Sequence, residues 1–196
     1  MPPRKRDALP KTRTEDEWRA LFEVIDTRYP TQKRNHALLM LMWMLGLRVG
    51  EALALQVADI DFDLEKVAVT NGKSGARVVP FPGTTDRRNE LVSALQRWLQ
   101  VRSEWNPPSA FVFVTRTGEP LTSSAVRRSM LVYGERAGIG HVTPHMLRHS
   151  CATDLLAHGA SPLGVSRVLG HRNVGTTLSV YAWAADQHAR EAMSKR

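Results

Sequence analysis

Trp18, Leu21, Phe22 and Ile25 recur at helical spacing behind Thr14 and Glu17, a pair placed to form a capping box, and they predict a first helix. The run "HALLMLMWMLGL" has almost no polar position, so a second helix over roughly 31 to 46 is expected to be buried on all sides and to stop near Gly46. A third helix starts just beyond, at "VGEALAL". The period then changes. "VADIDFD", "KVAVTN" and "ARVVPFP" are short, β-branched and separated by turn residues, which predicts three antiparallel strands, with Lys73 in the "NGKSG" turn between the second and third.

Helical spacing returns at Leu91, Leu95, Trp98 and Leu99, and again at Val126, Met130, Tyr133 and Ala137 before Gly138. Between them "AFVFVTRTGEPLT" reads as a short strand or extended link with a Gly turn. The last third is helical. Thr143 with Pro144 marks one N-terminus, and Gly159 closes that helix. Ser161 with Pro162 repeats the device, with Gly170 at the far end. A further helix begins near Thr176 and carries Tyr181. The pattern therefore predicts an α+β chain, mainly helical, with one small three-stranded antiparallel sheet.

Composition adds a partner to this picture. The 196 residues carry 27 Lys plus Arg against 19 Asp plus Glu, and 21 of the 27 are Arg. A guanidinium fork matches phosphate oxygens, so a formal charge of +8 built from Arg points to a polyanion, nucleic acid first. One cysteine, Cys151, excludes an internal disulfide and a Cys-rich zinc site; it lies in an apolar run as buried filler and suits a reducing, cytoplasmic setting. The longest apolar run is too short to span a bilayer, so no membrane partner is expected. Residues 1–12 are basic and proline-rich, a flexible segment that reads equally as a disordered tail or a DNA-contacting arm, and 13–196 form one domain.

The stretch "TPHMLRHS" concentrates the candidate chemistry. His145 and Arg148 are three apart and share a helix face, in the first turns behind Thr143 and Pro144, where free N–H groups and the dipole favour an anion. A cation there opposes the dipole, which makes sense beside a phosphate. His141, His145 and His149 recur every four residues, as metal ligands on a helix would. Pro144 separates His141 from the other two, however; Met146 stands where a zinc protease needs Glu, and Arg148 would repel a dication, so no metal is expected.

At this length of agreement a family becomes recognisable. "TPHMLRHSCATDLLAHGASPLGVSRVLGHRNVGTTLSVYAW" resembles the C-terminal signature of the tyrosine recombinases, or phage integrases. "GLRVGEALAL" resembles that family's first arginine box and "NGKSGARVVPF" its lysine-bearing hairpin, all in family order over roughly residues 12 to 190. The wording is nearest to the short fimbrial phase-switch recombinases and to Xer-like recombinases.

The resemblance implies breakage and rejoining of double-stranded DNA through a covalent 3′-phosphotyrosine, with no cofactor and no metal. Tyr181 would be the nucleophile, and Arg48 and Arg148 would grip the non-bridging oxygens of the scissile phosphate. His171 would add a third donor, Lys73 would protonate the leaving 5′-oxygen, and His145 would accept a proton near Tyr181. His149 is expected to pack the helix. Glu51 either pairs with Arg48 or orients it for phosphate, and the two are compatible. The hairpin is about one residue shorter than the usual family form. The resemblance also implies a chain that is monomeric alone and tetrameric on paired DNA sites, with accessory DNA-bending proteins as further partners. The residues before the first arginine box are too few for the family's N-terminal core-binding domain, so that domain is expected to be absent and the chain to be either a short recombinase or a catalytic-domain piece, the former being the expectation. Two other activities fit the same boxes: type IB topoisomerase-like cleavage and resealing, and a catalytically silent DNA-binding regulator.

Overall fold

The computed structural model describes residues 13–70 and 75–170. Lys73, His171 and Tyr181, together with the helix expected near Thr176, lie outside the described residues. Seven helices and three strands follow in chain order: α1 (Glu15–Glu23), α2 (Pro30–Leu45), α3 (Val49–Ala54), β1 (Ile60–Asp61), β2 (Lys66–Val69), β3 (Arg77–Pro80), α4 (Thr85–Trp105), α5 (Ser123–Arg136), α6 (Pro144–Ala157) and α7 (Pro162–Leu169). The mainly helical α+β class and the single antiparallel sheet, in the order β1-β2-β3, are as the pattern predicts.

The all-apolar run becomes the centre of the molecule. From Ala37 to Trp43, and again at Leu45, α2 is buried on every side, and it packs chiefly on α4 and α6. It ends where Gly46 takes the left-handed conformation at φ 64°. That glycine has a second reason to be there: a Cβ would lie 2.3 Å from Leu169 Cδ2 and 3.0 Å from Cys151 Sγ. Cys151 is indeed buried filler, in a satellite cluster with Ala152, Leu156, Val165 and Leu169 between α6 and α7. Burial pushes its thiol up to about 12, so it stays protonated and inert.

The Thr14–Glu17 capping box forms with both of its bonds, at 3.2 and 2.8 Å. Trp18 in α1 reaches across to α6, its indole N–H donating to Ser150 Oγ at 2.8 Å. Val67↔Val79 and Val69↔Arg77 are paired across β2 and β3, and the inward face carries Val67, Val69 and Val79, all buried, while Val78 points out.

Two local expectations change, the first strand and the Thr143 cap. The first strand shrinks to two residues because Asp59 accepts the Gln56 N–H at 2.8 Å and winds Val57–Asp59 into a 3-10 turn. Helix α4 begins at Thr85, six residues before its first core leucine, since its opening turn is a polar run, Asp86 to Glu90, outside the apolar period. Of the two readings of "AFVFVTRTGEPLT", a short strand or an extended link with a Gly turn, the second holds. It is an extended link held by the isolated bridges Gln56↔Phe111 and Val114↔Pro120, with Val112, Phe113 and Val114 all buried. Thr143 also differs from the ideal N-cap: its hydroxyl makes no capping bond, and the Met146 N–H bonds the Thr143 carbonyl at 3.0 Å instead. Ser161 does cap α7, accepting the Gly164 N–H at 3.1 Å. No described helix is long and apolar enough to cross a membrane.

Gly46→Ala is expected to lower stability by about 2–4 kcal/mol, from left-handed strain plus overpacking against Leu169 and Cys151. Urea denaturation at neutral pH measures it; a loss under about 0.5 kcal/mol, the range of a neutral surface change, would contradict the close approach.

Candidate active site

Three helix ends meet at one place, and the helix geometry explains which charges gather there. The C-termini of α2 and α7 expose carbonyls and partial negative charge, which favour cations. Arg148, on α6, supplies one. Its Nη1 donates to the Gly46 carbonyl at 2.7 Å and its Nη2 to the Leu169 carbonyl at 2.6 Å, so one buried guanidinium ties the ends of two helices. Arg48, just before α3, supplies another, donating through Nη2 to the Gly170 carbonyl at 3.1 Å. Residues 100 apart in the sequence thus share the last turn of α7.

Glu51 organises them. It stands at the third position of α3, accepts the Arg48 backbone N–H at 2.9 Å as the acidic half of a capping box, and takes the Arg48 side chain at 2.8 Å. A third arginine, Arg77 of β3, forks onto the same carboxylate at 3.1 and 2.8 Å and also donates to the Val168 carbonyl at 2.7 Å. Arg148 lies 4.0 Å from it. Burial alone would raise the Glu51 carboxyl; the bonds from Arg77 and then Arg48 hold it at about 2 instead. Arg148 is pushed down to about 10, first by burial and then by Arg48, with Glu51 partly opposing. Three guanidiniums against one carboxylate leave two positive charges, a deficit an anion would fill.

A cavity of about 240 Å³ opens on this cluster, lined by Arg48, Val49, Arg127, Thr143, Pro144, His145 and Arg148. His145 sits on its rim, open to solvent. The protein behind it, then Arg148 and Arg48, lower its pKa, so the imidazole is neutral and able to accept a proton at pH 7. His149, one turn further along α6, is buried, and burial followed by His145 lowers its pKa.

Of the six expected site residues, Arg48, His145 and Arg148 are brought together around one cavity. Lys73, His171 and Tyr181 are outside the described residues, although His171 directly follows Gly170, whose carbonyl Arg48 holds, and Lys73 lies in the short stretch between Thr70 and Gly75. The Arg48–Glu51 pairing forms, and Glu51 is shared with Arg77. The reading by residue type passed over Arg77 and Arg127. Arg77 had a signal: alternation in "ARVVPF" puts it on the same face as Val79, and a buried arginine demands a carboxylate. Arg127 had none, being one of two adjacent arginines on an exposed helix face. Among the described residues no group of three or more His, Cys, Asp or Glu could hold a metal ion, so His141, His145 and His149 do not form such a set.

Buried Arg148 and half-exposed Arg48, held on helix ends behind an open cavity, sit within a mainly helical α+β fold. The sequence model of the phage integrase family matches residues 11–188, and the chain belongs to that family. It is 35% identical over 198 residues to tyrosine recombinase XerA of Thermococcus onnurineus (strain NA1), covering 99% of this chain and 65% of that protein. It is 33% identical over 192 residues to tyrosine recombinase XerC of Bacillus pumilus (strain SAFR-032), covering 96% of this chain. The chain spans 65% and 62% of the length of these two relatives. Among solved structures, XerA recombinase matches with TM-score 0.80 at 28% identity, over 98% of this chain and 67% of that one. XerH recombinase bound to difH in a post-cleavage complex matches with TM-score 0.79 at 24% identity, over 95% of this chain and 53% of that one, a likeness of fold.

Glu51→Gln is expected to cost about 3–5 kcal/mol at pH 7, because it leaves three guanidiniums without their carboxylate. The folded pKa is depressed, so the carboxylate's contribution is full above its ordinary 4.5 and is lost as pH falls toward about 2. The stability gap between the native protein and the variant, read from urea midpoints, should therefore narrow across that window; a gap that stays constant would contradict the ion cluster.

Proposed function

We propose that the chain is the catalytic part of a site-specific DNA recombinase, which cuts and rejoins DNA strands through a 3′-phosphotyrosine intermediate. The observation that carries this reading is the convergence of Arg48 and Arg148 on the α7 end that leads directly to His171 and, ten residues on, Tyr181. Membership of the phage integrase family and the 35% identity to a tyrosine recombinase support it.

In this reaction the Tyr181 oxygen attacks a backbone phosphorus, the phosphorus–tyrosine bond forms, and the bond to the 5′-oxygen breaks. His145, neutral at pH 7, takes the phenol proton, and Lys73 gives a proton to the departing 5′-oxygen. Charge builds on the non-bridging oxygens as phosphorus becomes five-coordinate. Arg48 and Arg148 already stand in fixed positions, so they stabilise that state without reorganising, and His171 adds a donor beside them. Bond energy is kept in the protein–DNA link, and the reverse attack by a 5′-hydroxyl reseals the strand without a nucleotide cofactor. The partner is double-stranded DNA, bound by a monomer that assembles as a tetramer on paired sites, with DNA-bending proteins as accessories.

Incubation with nicked, fragmented DNA from the protein's own source, followed by detergent denaturation and sequencing of whatever stays attached, tests the reaction. Adducts are expected with the native chain and none with Tyr181→Phe; adducts from both would move the nucleophile elsewhere, and none from the native chain would remove the reading. Relaxed circles without recombined products would point to a topoisomerase instead. Arg148→Ala is expected to slow adduct formation by about 10²–10³-fold. DNA affinity should fall steeply with salt, through counterion release, and a flat response from low to physiological salt would count against phosphate contacts.

A further inference from the structure

Arg77 occupies the last rung of the hairpin ladder, opposite Val69, four residues after Lys73. Its side chain is only 10% exposed, against 35% for Arg48, so it is turned away from any DNA surface. We infer that Arg77 is a positioning residue, which locks the Glu51 carboxylate and the last turn of α7 and thereby fixes Arg48 and the base of the Lys73 turn in one geometry. This rests on the reaction proposed above and extends it to a residue that touches no reacting atom.

The bonding explains why both arginines are needed. Glu51 Oε1 accepts from the Arg48 and Arg77 side chains, and Oε2 accepts from the Arg48 backbone and from Arg77. A carboxylate offers about four acceptor directions, and here each arginine fills two. Without Arg77, half of those directions fall vacant and the carboxylate is free to swing, carrying the Arg48 guanidinium with it. Arg77 also meets the α7 end through the Val168 carbonyl, one residue before Leu169, which both Arg148 and Arg48 contact. Gly170 fits this arrangement: a Cβ there would lie 2.8 Å from Arg77 Nη1 and 3.0 Å from its Cζ, so the guanidinium lies flat against backbone that only glycine leaves open. Arg77 therefore joins three parts of the chain, β3, α3 and α7, each of which leads to a different residue of the proposed reaction: Lys73, Arg48 and His171.

The test compares the full chain with Arg77→Met and Arg77→Lys in three measurements: the rate of covalent adduct formation on the fragmented DNA pool, the affinity for that DNA, and the Glu51 carboxyl titration by ¹³C NMR. The Met variant is expected to lose on the order of 10²-fold in adduct rate, as for a small misplacement of a catalytic group, with affinity within about twofold of native. Its Glu51 titration should move up from about 2. The Lys variant should recover part of the rate and part of the titration shift, since it restores the charge without the two-pronged fork. An adduct rate within twofold of native in the Met variant would overturn the inference. So would rate, affinity and thermal midpoint falling together, the mark of a structural role. If the native chain forms no adduct, the reaction reading fails separately, and an unmoved Glu51 titration would still overturn the role given to Arg77.

Discussion

The structure depends on a single buried carboxylate. Glu51 is the one anion among three guanidiniums, and the ends of α2, α3 and α7 are arranged so that the remaining donors of those guanidiniums meet helix carbonyls. Buried charges persist only when paired and fully hydrogen-bonded, and here the pairing reaches across the fold: the hairpin, the arginine box and the last helix pair of the described chain all terminate on it. The same condition that keeps the cluster folded leaves it short of negative charge, and that shortage faces an open cavity.

Stability and chemistry are therefore coupled at this point. A phosphate entering beside Arg48 and Arg148 meets donors whose geometry is already set by carbonyls and by Glu51, so little reorganisation accompanies charge build-up. Arg148 is buried, and burial followed by Arg48 disfavours its charge. Burial first, and then those cations, keep His145 neutral, which suits acceptance of a proton and not donation. The rest of the core serves as a frame. α2 carries no polar face for most of its length, and it braces both α4 and α6, from which Arg148 projects.

Much of this was legible in the sequence. Helix periods, caps and glycine stops placed α1, α2, α5, α6 and α7 closely, because those signals are local and each residue's preference agrees with its neighbours'. "TPHMLRHS" pointed to an anion for the same reason, as residue types at short spacing, whereas Arg48 entered through the resemblance of its box to a known family. Where reading failed, the missing information was not local. The first strand gave way to a turn because Asp59 could bond back to Gln56. Thr143 carried a cap's residue type but not a cap's bond.

By itself, then, the sequence determined the fold class, the buried central helix, the basic character and the pairing of His145 with Arg148 at a helix start, since periodicity, charge and residue type are properties of the chain; Arg48 joined them through the family resemblance of its box. Only the tertiary structure decided that Glu51 serves Arg77 as well as Arg48, that Arg148 bonds two helix ends, and that Arg77 belongs with the site at all. Those facts follow from distances between segments 21 to 102 residues apart, set by how helices pack. No local preference encodes such distances.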